Sequence, residues 1–449
     1  MAAACLSAPL AHAETLADAV ALAYQSNPTL QAQRAQLRAT DETYVQARAG
    51  WRPTASAQVG ANYSKAPEST LFGVSQVESN TGQAILGVTQ PIYTGGRTAA
   101  EVRATESDVM AARQGLRATE AQVLQGVVQA YADVLRDQQL LAVHQDDVAM
   151  LQREVDDANA RLQAGEVTRT DVAQTETQLI SSQSALTAAK GQLQVSRSNY
   201  AQVVGQNPGQ LAPPPALPGL PIDVDHAFDA AEADNPTLRQ AEFTEQSSRI
   251  RVAEARAANR PTLSVNANIG LTGPVTPFFG NAYDRAVNAS AVITQPILTG
   301  GVNASQIRRA LELNNSDRIS IETTRRAVVQ AVSQAWNGMV TGRNTTTGEE
   351  KHVGVAQDYF FGTREEYKVG QRATLDIIVA EQSFISARLA LISARHDTYV
   401  AESSLLAAVG RLEARYLTPD TPSYDPAKSF KRVKNAGDLP WEGVVAAID

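Results

Sequence analysis

Few side chains in this sequence are of a type that does chemistry, and their spacing argues against catalysis. The five histidines stand at positions 12, 144, 226, 352 and 396. No two form the His-x-x-x-His pair that sets a zinc site on one helix face, and the single cysteine, Cys5, cannot complete one. Asp146-Asp147 and Asp156-Asp157 lack a third ligand for a hard cation, so they read as solvated helix positions. Gly95-Gly96 and Gly300-Gly301 lack the Lys-Ser/Thr of a phosphate-cradling loop and read as strand-to-helix turns. No nucleophile–base arrangement is identifiable. The sequence predicts no enzyme, no metal and no cofactor. Asp171 and Asp376, each shortly after a glycine, are expected to cap helices.

The elements that carry these residues are bounded by composition. Of 449 residues, 43% are hydrophobic and 19% charged, which suits a folded chain. Aromatics are only 5%, so Ala and Gln must fill the space, as in long, closely packed helices. With 39 Lys+Arg against 47 Asp+Glu the net charge is −8, and a basic nucleic-acid binder is excluded. No run approaches the ~18 consecutive apolar residues of a membrane-spanning helix, which argues against a helical membrane protein. Ala11-His12-Ala13 has the small-x-small form of a signal-peptidase site. Residues 1–13 therefore read as a signal peptide, its basic start lying upstream. Cleavage there removes Cys5, as suits an exported protein without disulfides; a lipid-modified Cys5 is the lesser alternative.

An internal repeat organises the rest. Asn27-Pro28-Thr29-Leu30 returns as Asn235-Pro236-Thr237-Leu238, and Arg52-Pro53-Thr54 as Arg260-Pro261-Thr262, both shifted by 208. Gln90-Pro91-Ile92 with Thr94-Gly95-Gly96 returns as Gln295-Pro296-Ile297 with Thr299-Gly300-Gly301, shifted by 205. That shift then holds through Gly165 and Gly370, Asp171 and Asp376, and Val204-Gly205 and Val409-Gly410. A register kept over such a length means duplication of a whole structural unit. The repeats are expected at 14–205 and 222–410, joined by a proline-rich connector at 206–221 and followed by an unrepeated tail at 411–449.

Each half changes period in the same order. A helix broken at Asn-Pro comes first (14–50 and 222–259), with proline at the first position of its second segment. Strict alternation follows: Ala55, Ala57, Val59, Ala61 and Tyr63 oppose Ser56, Gln58, Gly60, Asn62 and Ser64. This predicts strands at about 54–66, 80–93, 261–273 and 284–297, the length and pattern of tilted membrane strands. A soluble sandwich shows the same alternation. Long helices are expected at 97–163 and 303–366, with return helices at 171–204 and 376–409. The length of each long helix is matched if the N-terminal helix stacks end to end on the return helix. Four strands cannot close a barrel, and open edges cannot sit in lipid. Three copies supply twelve strands and leave a lumen.

The duplicated strand–strand–helix order, Arg-Pro-Thr before the first strand, Gln-Pro-Ile with Gly-Gly after the second, and the tip motifs Arg161-Leu162-Gln163-Ala164-Gly165 and Tyr367-Lys368-Val369-Gly370 resemble the TolC-type outer-membrane channel proteins. The resemblance implies an α+β membrane protein: a homotrimer with a twelve-stranded outer-membrane barrel, a periplasmic α-helical tunnel, and an equatorial belt holding connector and tail. It also implies a periplasmic adaptor docked at Leu162, Gly165, Val167, Val369, Gly370 and Ala373. At a periplasmic gate, Tyr367 and Arg372 would tie to Asp171, and Asp376 would form a carboxylate ring. Val379 stands where the family's type member has a second acidic position, so one ring is expected, not two. The pattern from Asn27-Pro28 through Asp41-Glu42-Thr43-Tyr44-Val45 to Trp51-Arg52-Pro53 looks most like the type I secretion branch, which works with an inner-membrane ABC transporter and exports protein. Multidrug efflux shares the fold and is the alternative; a trimeric helical adhesin and a periplasmic scaffold are remoter ones.

Overall fold

A computed structural model describes residues 13–70, 73–275, 280–419 and 421–449. The signal-peptide expectation, Cys5 included, lies almost wholly outside these residues. The chain divides into two compact units, one from Met1–Ala35, Gln114–Arg239 and Thr323–Tyr424, the other from Gln36–Arg113, Gln240–Glu322 and Asp425–Asp449.

The second unit holds the sheet. Strands β1 (Thr54–Thr70), β2 (Gly73–Tyr93), β3 (Thr262–Pro274) and β4 (Asp284–Thr294) pair antiparallel in the order β1-β2-β3-β4. Register carries the alternation of single strands across the whole sheet. Val59 pairs with Ala84, Ala84 with Leu271, Leu86 with Ile269, and Ile269 with Val287, so one face carries a contiguous apolar patch, ended on β4 by Arg285 opposite Leu271. The other face is polar: Thr89 donates to Asn266 at 2.9 Å, and Asn288 to Asn268 at 3.1 Å. The apolar face is bare, with Val59 84% and Val287 69% exposed. A surface of that kind is unstable in water and suited to lipid. Pro91 has no N–H for the ladder, and the β2–β3 register shifts between Pro91 and Tyr93.

The helices α1 (Leu16–Ser26), α2 (Pro28–Arg48), α3 (Arg97–Ala164), α4 (Arg169–Val204), α5 (Val224–Asp234), α6 (Pro236–Ala257), α7 (Val302–Lys368) and α8 (Thr374–Ala408) follow one plan twice. Asn27 caps α2 by accepting from Thr29 N, and its amide donates to Val203 O near the end of α4 at 2.9 Å. Asn235 does the same for α6, donating to Ala408 O near the end of α8 at 2.8 Å. The expected end-to-end stacking therefore starts at the asparagine and involves α2 and α6 only. The first segment packs sideways instead: Leu16, Val20 and Tyr24 of α1 join Leu124, Val128 and Tyr131 of α3 and Tyr200 of α4 in the largest core. Its apolar side chains gain more from that core than from prolonging a rod. Gly410 follows α8 with φ +76, and a Cβ there would lie 2.6 Å from Asp234 O, so only glycine fits. Replacing Asn235 by alanine removes a cap and the tie to α8. It should lower stability by about 1–2 kcal/mol, seen as a lower thermal midpoint of the extracted protein; an unchanged midpoint would mean packing alone holds the break.

Among the described residues, α8 is the one helix apolar enough on average to cross a membrane. Consecutive apolar residues never reach membrane-crossing length, yet an 18-residue window of α8 averages a mean hydropathy of 1.4. Glu381 and Arg388 interrupt the run without lowering the average enough. Part of its apolar surface is packed, with Ile377, Ile378, Ala380, Ile385 and Ala387 buried, while Leu375 and Val379 are exposed.

The unrepeated tail forms α9 (Ala414–Leu417), α10 (Pro426–Val433) and α11 (Glu442–Ile448). Phe430 and Val445 pack with Tyr44, Trp51 and Val109. The Asp449 side chain accepts from Thr94 N, Gly96 N and Ala99 N at the start of α3, and from Trp51 Nε1. Burial alone would raise its carboxyl; these donors hold it below the usual value.

Candidate functional site

The two helix turns, α3 to α4 and α7 to α8, carry all the residues singled out for gating and docking. Both use the same closure. Glu166 N donates to Arg161 O and Gly165 N to Leu162 O, at 2.9 and 3.1 Å. Gln371 N donates to Glu366 O and Gly370 N to Tyr367 O, at 2.9 and 3.0 Å. This pattern needs a left-handed residue, supplied by Gly165 at φ +79 and Gly370 at φ +77. A Cβ on either would meet nothing, so the requirement is conformational and the turns face open space. Leu162 and Val167 are half-buried, Ala373 is exposed, and Val369 is 70% exposed.

The aspartates stand three residues into each helix rather than at the expected N-cap, which Thr168 and Ala373 occupy. Asp171 Oδ2 accepts from Thr168 N at 2.8 Å and Thr168 Oγ1 at 2.9 Å, while Thr168 Oγ1 accepts from Asp171 N. The Thr168 backbone N–H, then its hydroxyl, hold the Asp171 carboxyl below its ordinary value. Asp376 Oδ2 accepts from Ala373 N at 3.2 Å, but Ala373 has no hydroxyl to return the bond. Arg372 Nε donates to Glu366 Oε2 at 2.7 Å, and this partner raises the guanidinium's already high pKa. The Tyr367 hydroxyl lies 3.5 Å from Thr374 Oγ1, and the Arg161 guanidinium sits 4.8 Å over its ring. Within one chain, then, Tyr367 and Arg372 each have a local partner and neither meets Asp171.

Behind the turns, a cavity of about 260 Å³ opens among α3, α4, α7 and α8, lined by Glu154, Asp157, Arg161, Arg364, Tyr367 and Lys368. Met150 and Ile377 are among its apolar lining, and Ile377 packs in turn with Ile378 and with Phe360, which stacks on Phe384 at 5.8 Å. Asp147, expected from the sequence as a solvated position, is buried, in one of two polar pairs inside the helical unit that sequence reasoning missed. Ser182 donates to the buried Asp147 and Ser196 to the buried Asp137. Serines recurring on an otherwise apolar stripe of α4 were the available signal. Among the described residues, no three His, Cys, Asp or Glu side chains cluster as metal ligands would.

The family model for outer membrane efflux proteins matches residues 19–206 and 227–411. The chain belongs to that family. It is the TolC-type family expected from the repeated motifs. The two matched stretches leave out the proline-rich connector and most of the tail. The outer membrane efflux protein BepC of Brucella suis biovar 1 is 31% identical, covering 96% of this chain and 92% of its own. The proteases secretion protein PrtF of Dickeya chrysanthemi is 23% identical, covering 91% of this chain and 90% of its own. In fold, the Campylobacter jejuni CmeC outer membrane channel superposes with a TM-score of 0.79 at 16% identity, covering 95% of this chain and 90% of that one. The chain is thus an outer-membrane channel protein of α+β class, and its family is one of channels, not enzymes. The bare apolar sheet face has the composition of a surface suited to lipid.

Proposed function

We propose that this protein is the exit duct of a tripartite exporter. It acts as a homotrimer whose twelve strands close a barrel and whose helices form a periplasmic tunnel. A periplasmic adaptor docks on the turns at Gly165 and Gly370, and an ABC transporter in the inner membrane feeds a protein cargo through. The observation that carries the duct is the four-stranded sheet with two unpaired edges, one lipid-suited face and one polar face. Such a sheet cannot stand alone in a membrane. Three copies remove every edge and turn the polar face onto a lumen.

Protein as cargo is supported by the N-terminal pattern through Trp51-Arg52-Pro53 and by the likeness to PrtF, named for protease secretion. Drug efflux is the second reading, favoured by the 31% identity to BepC, which is named an efflux protein. Two measurements decide. Mass determination in detergent should give three chains per particle, and a folded monomer from the membrane fraction would overturn the duct. Deleting the gene should remove one or more proteins from the culture supernatant with little change in drug sensitivity; the reverse pattern selects efflux.

A further inference from the structure

Glu154 on α3 and Glu381 on α8 face each other behind the two turns. Glu381 is 1% exposed, and neither of its carboxylate oxygens has a donor among the described residues. What lies within hydrogen-bonding reach is the carboxyl group of Glu154. Two carboxylates cannot bond to each other; a carboxylate and a carboxylic acid can. The charged groups facing the pair are Asp147, Arg153 and Asp157 from α3 and Arg364 from α7. From α4 comes Ser182, whose hydroxyl is committed to Asp147. Arg364 acts on both glutamates, and the aspartates oppose it.

We propose that Glu154 and Glu381 share one proton, and that this proton fastens α8 to α3 behind the turns, so that its loss loosens the helix ends there. Burial, then the charges of Glu154 and Asp147, push Glu381 up to about 9 from an ordinary 4.5. Burial likewise raises Glu154. The folded protein therefore binds more protons than the unfolded chain between those two values. Stability of this contact falls as pH rises through that window and falls no further above it. The shared proton stands apart from the proposed function; only its bearing on a gate rests on that reading.

Hydrogen exchange on the full chain in detergent tests the pair. After correction for intrinsic rates, peptides covering 150–158 and 377–388 should lose protection by about tenfold between pH 6 and pH 10. Peptides from Leu16–Ser26 should not. In Glu381→Gln the amide donates to Glu154 without titrating, so protection should be equal at both pH values. Glu381→Met, apolar and without a titrating group, serves the same purpose should the first variant not fold. A wild-type protein whose protection does not change in these peptides, or a Glu381 variant that changes as much as wild type, overturns the proposal. Exchange that responds as expected while channel conductance ignores pH would leave the pair standing and count against the gate alone.

Discussion

Replacing Arg48 and Arg52 together with alanine is expected to release the C-terminal segment from the sheet-bearing unit. Glu442 is 3% exposed at the start of α11, and both arginines converge on it. Arg52 Nε donates to Oε2 at 3.0 Å, and Arg48 Nη2 lies 2.6 Å from Oε1 as an off-axis charge contact. Both also reach Asp438 Oδ1 at 3.0 Å, and Arg48 donates to Lys434 O at 2.6 Å. Removing both cations strands a carboxylate in a nearly dry site, a loss of about 3–5 kcal/mol. Phe430 and Val445 would then lose their hold on Tyr44 and Trp51. Limited proteolysis should cut within 425–449 in the double variant and spare it in wild type. The control is the triple variant Arg48→Ala, Arg52→Ala and Glu442→Leu, which removes the stranded charge and should recover much of the loss. Equal protease resistance of the double variant and wild type would mean the aromatic packing holds the tail without the ion pairs.

What the sequence made legible follows its periodicities. Alternation from Thr54 predicts where β1 begins and which residues share its apolar face, because the side-chain period of a strand is two and allows one phase. Likewise, Pro28 and Pro236 after asparagine mark helix starts that the structure has at those residues. It also shows β1 and β2 running beyond the expected ends, to Thr70 and from Gly73. There the alternation fades among Lys65, Pro67 and Glu68, while backbone pairing continues. Pairing between helices was not legible. Glu154 and Glu381 stand among many other acidic residues on long helices, and nothing local says that both turn inward. Period 3.6 tells which residues share a face but not which faces meet. Arg48 and Arg52 gave no signal either, since their partners lie in the unrepeated tail. For the gate, the sequence placed Asp171 and Asp376 at helix starts, but Thr168 and Ala373 hold the N-cap positions, and the aspartates stand three residues in, where their carboxylates accept from the N-cap backbone N–H.

The gate reading predicts that Arg372→Ser with Tyr367→Phe raises single-channel conductance in a planar bilayer. Neither substitution touches a cap, so the helix starts at Thr168 and Ala373 should be unaffected. The geometry leaves room for the link. Both bonds that Asp171 accepts from Thr168 go to Oδ2, so Oδ1 remains to accept from a donor on a neighbouring copy. Arg372 is held to Glu366 by an exposed contact that solvent screens, so it is readily exchanged for a second carboxylate. A weak link repeated three times around a trimer multiplies its bias on a closed–open equilibrium. Losing all three at once should therefore be visible as a wider or more frequently open pore. Asp171→Asn is the companion variant. It keeps an acceptor for the Thr168 bonds while weakening an Arg372 link, so it should open the pore less than the double variant at equal trimer yield. Conductance of the double variant equal to wild type would leave Asp171 and Asp376 as helix-start groups alone.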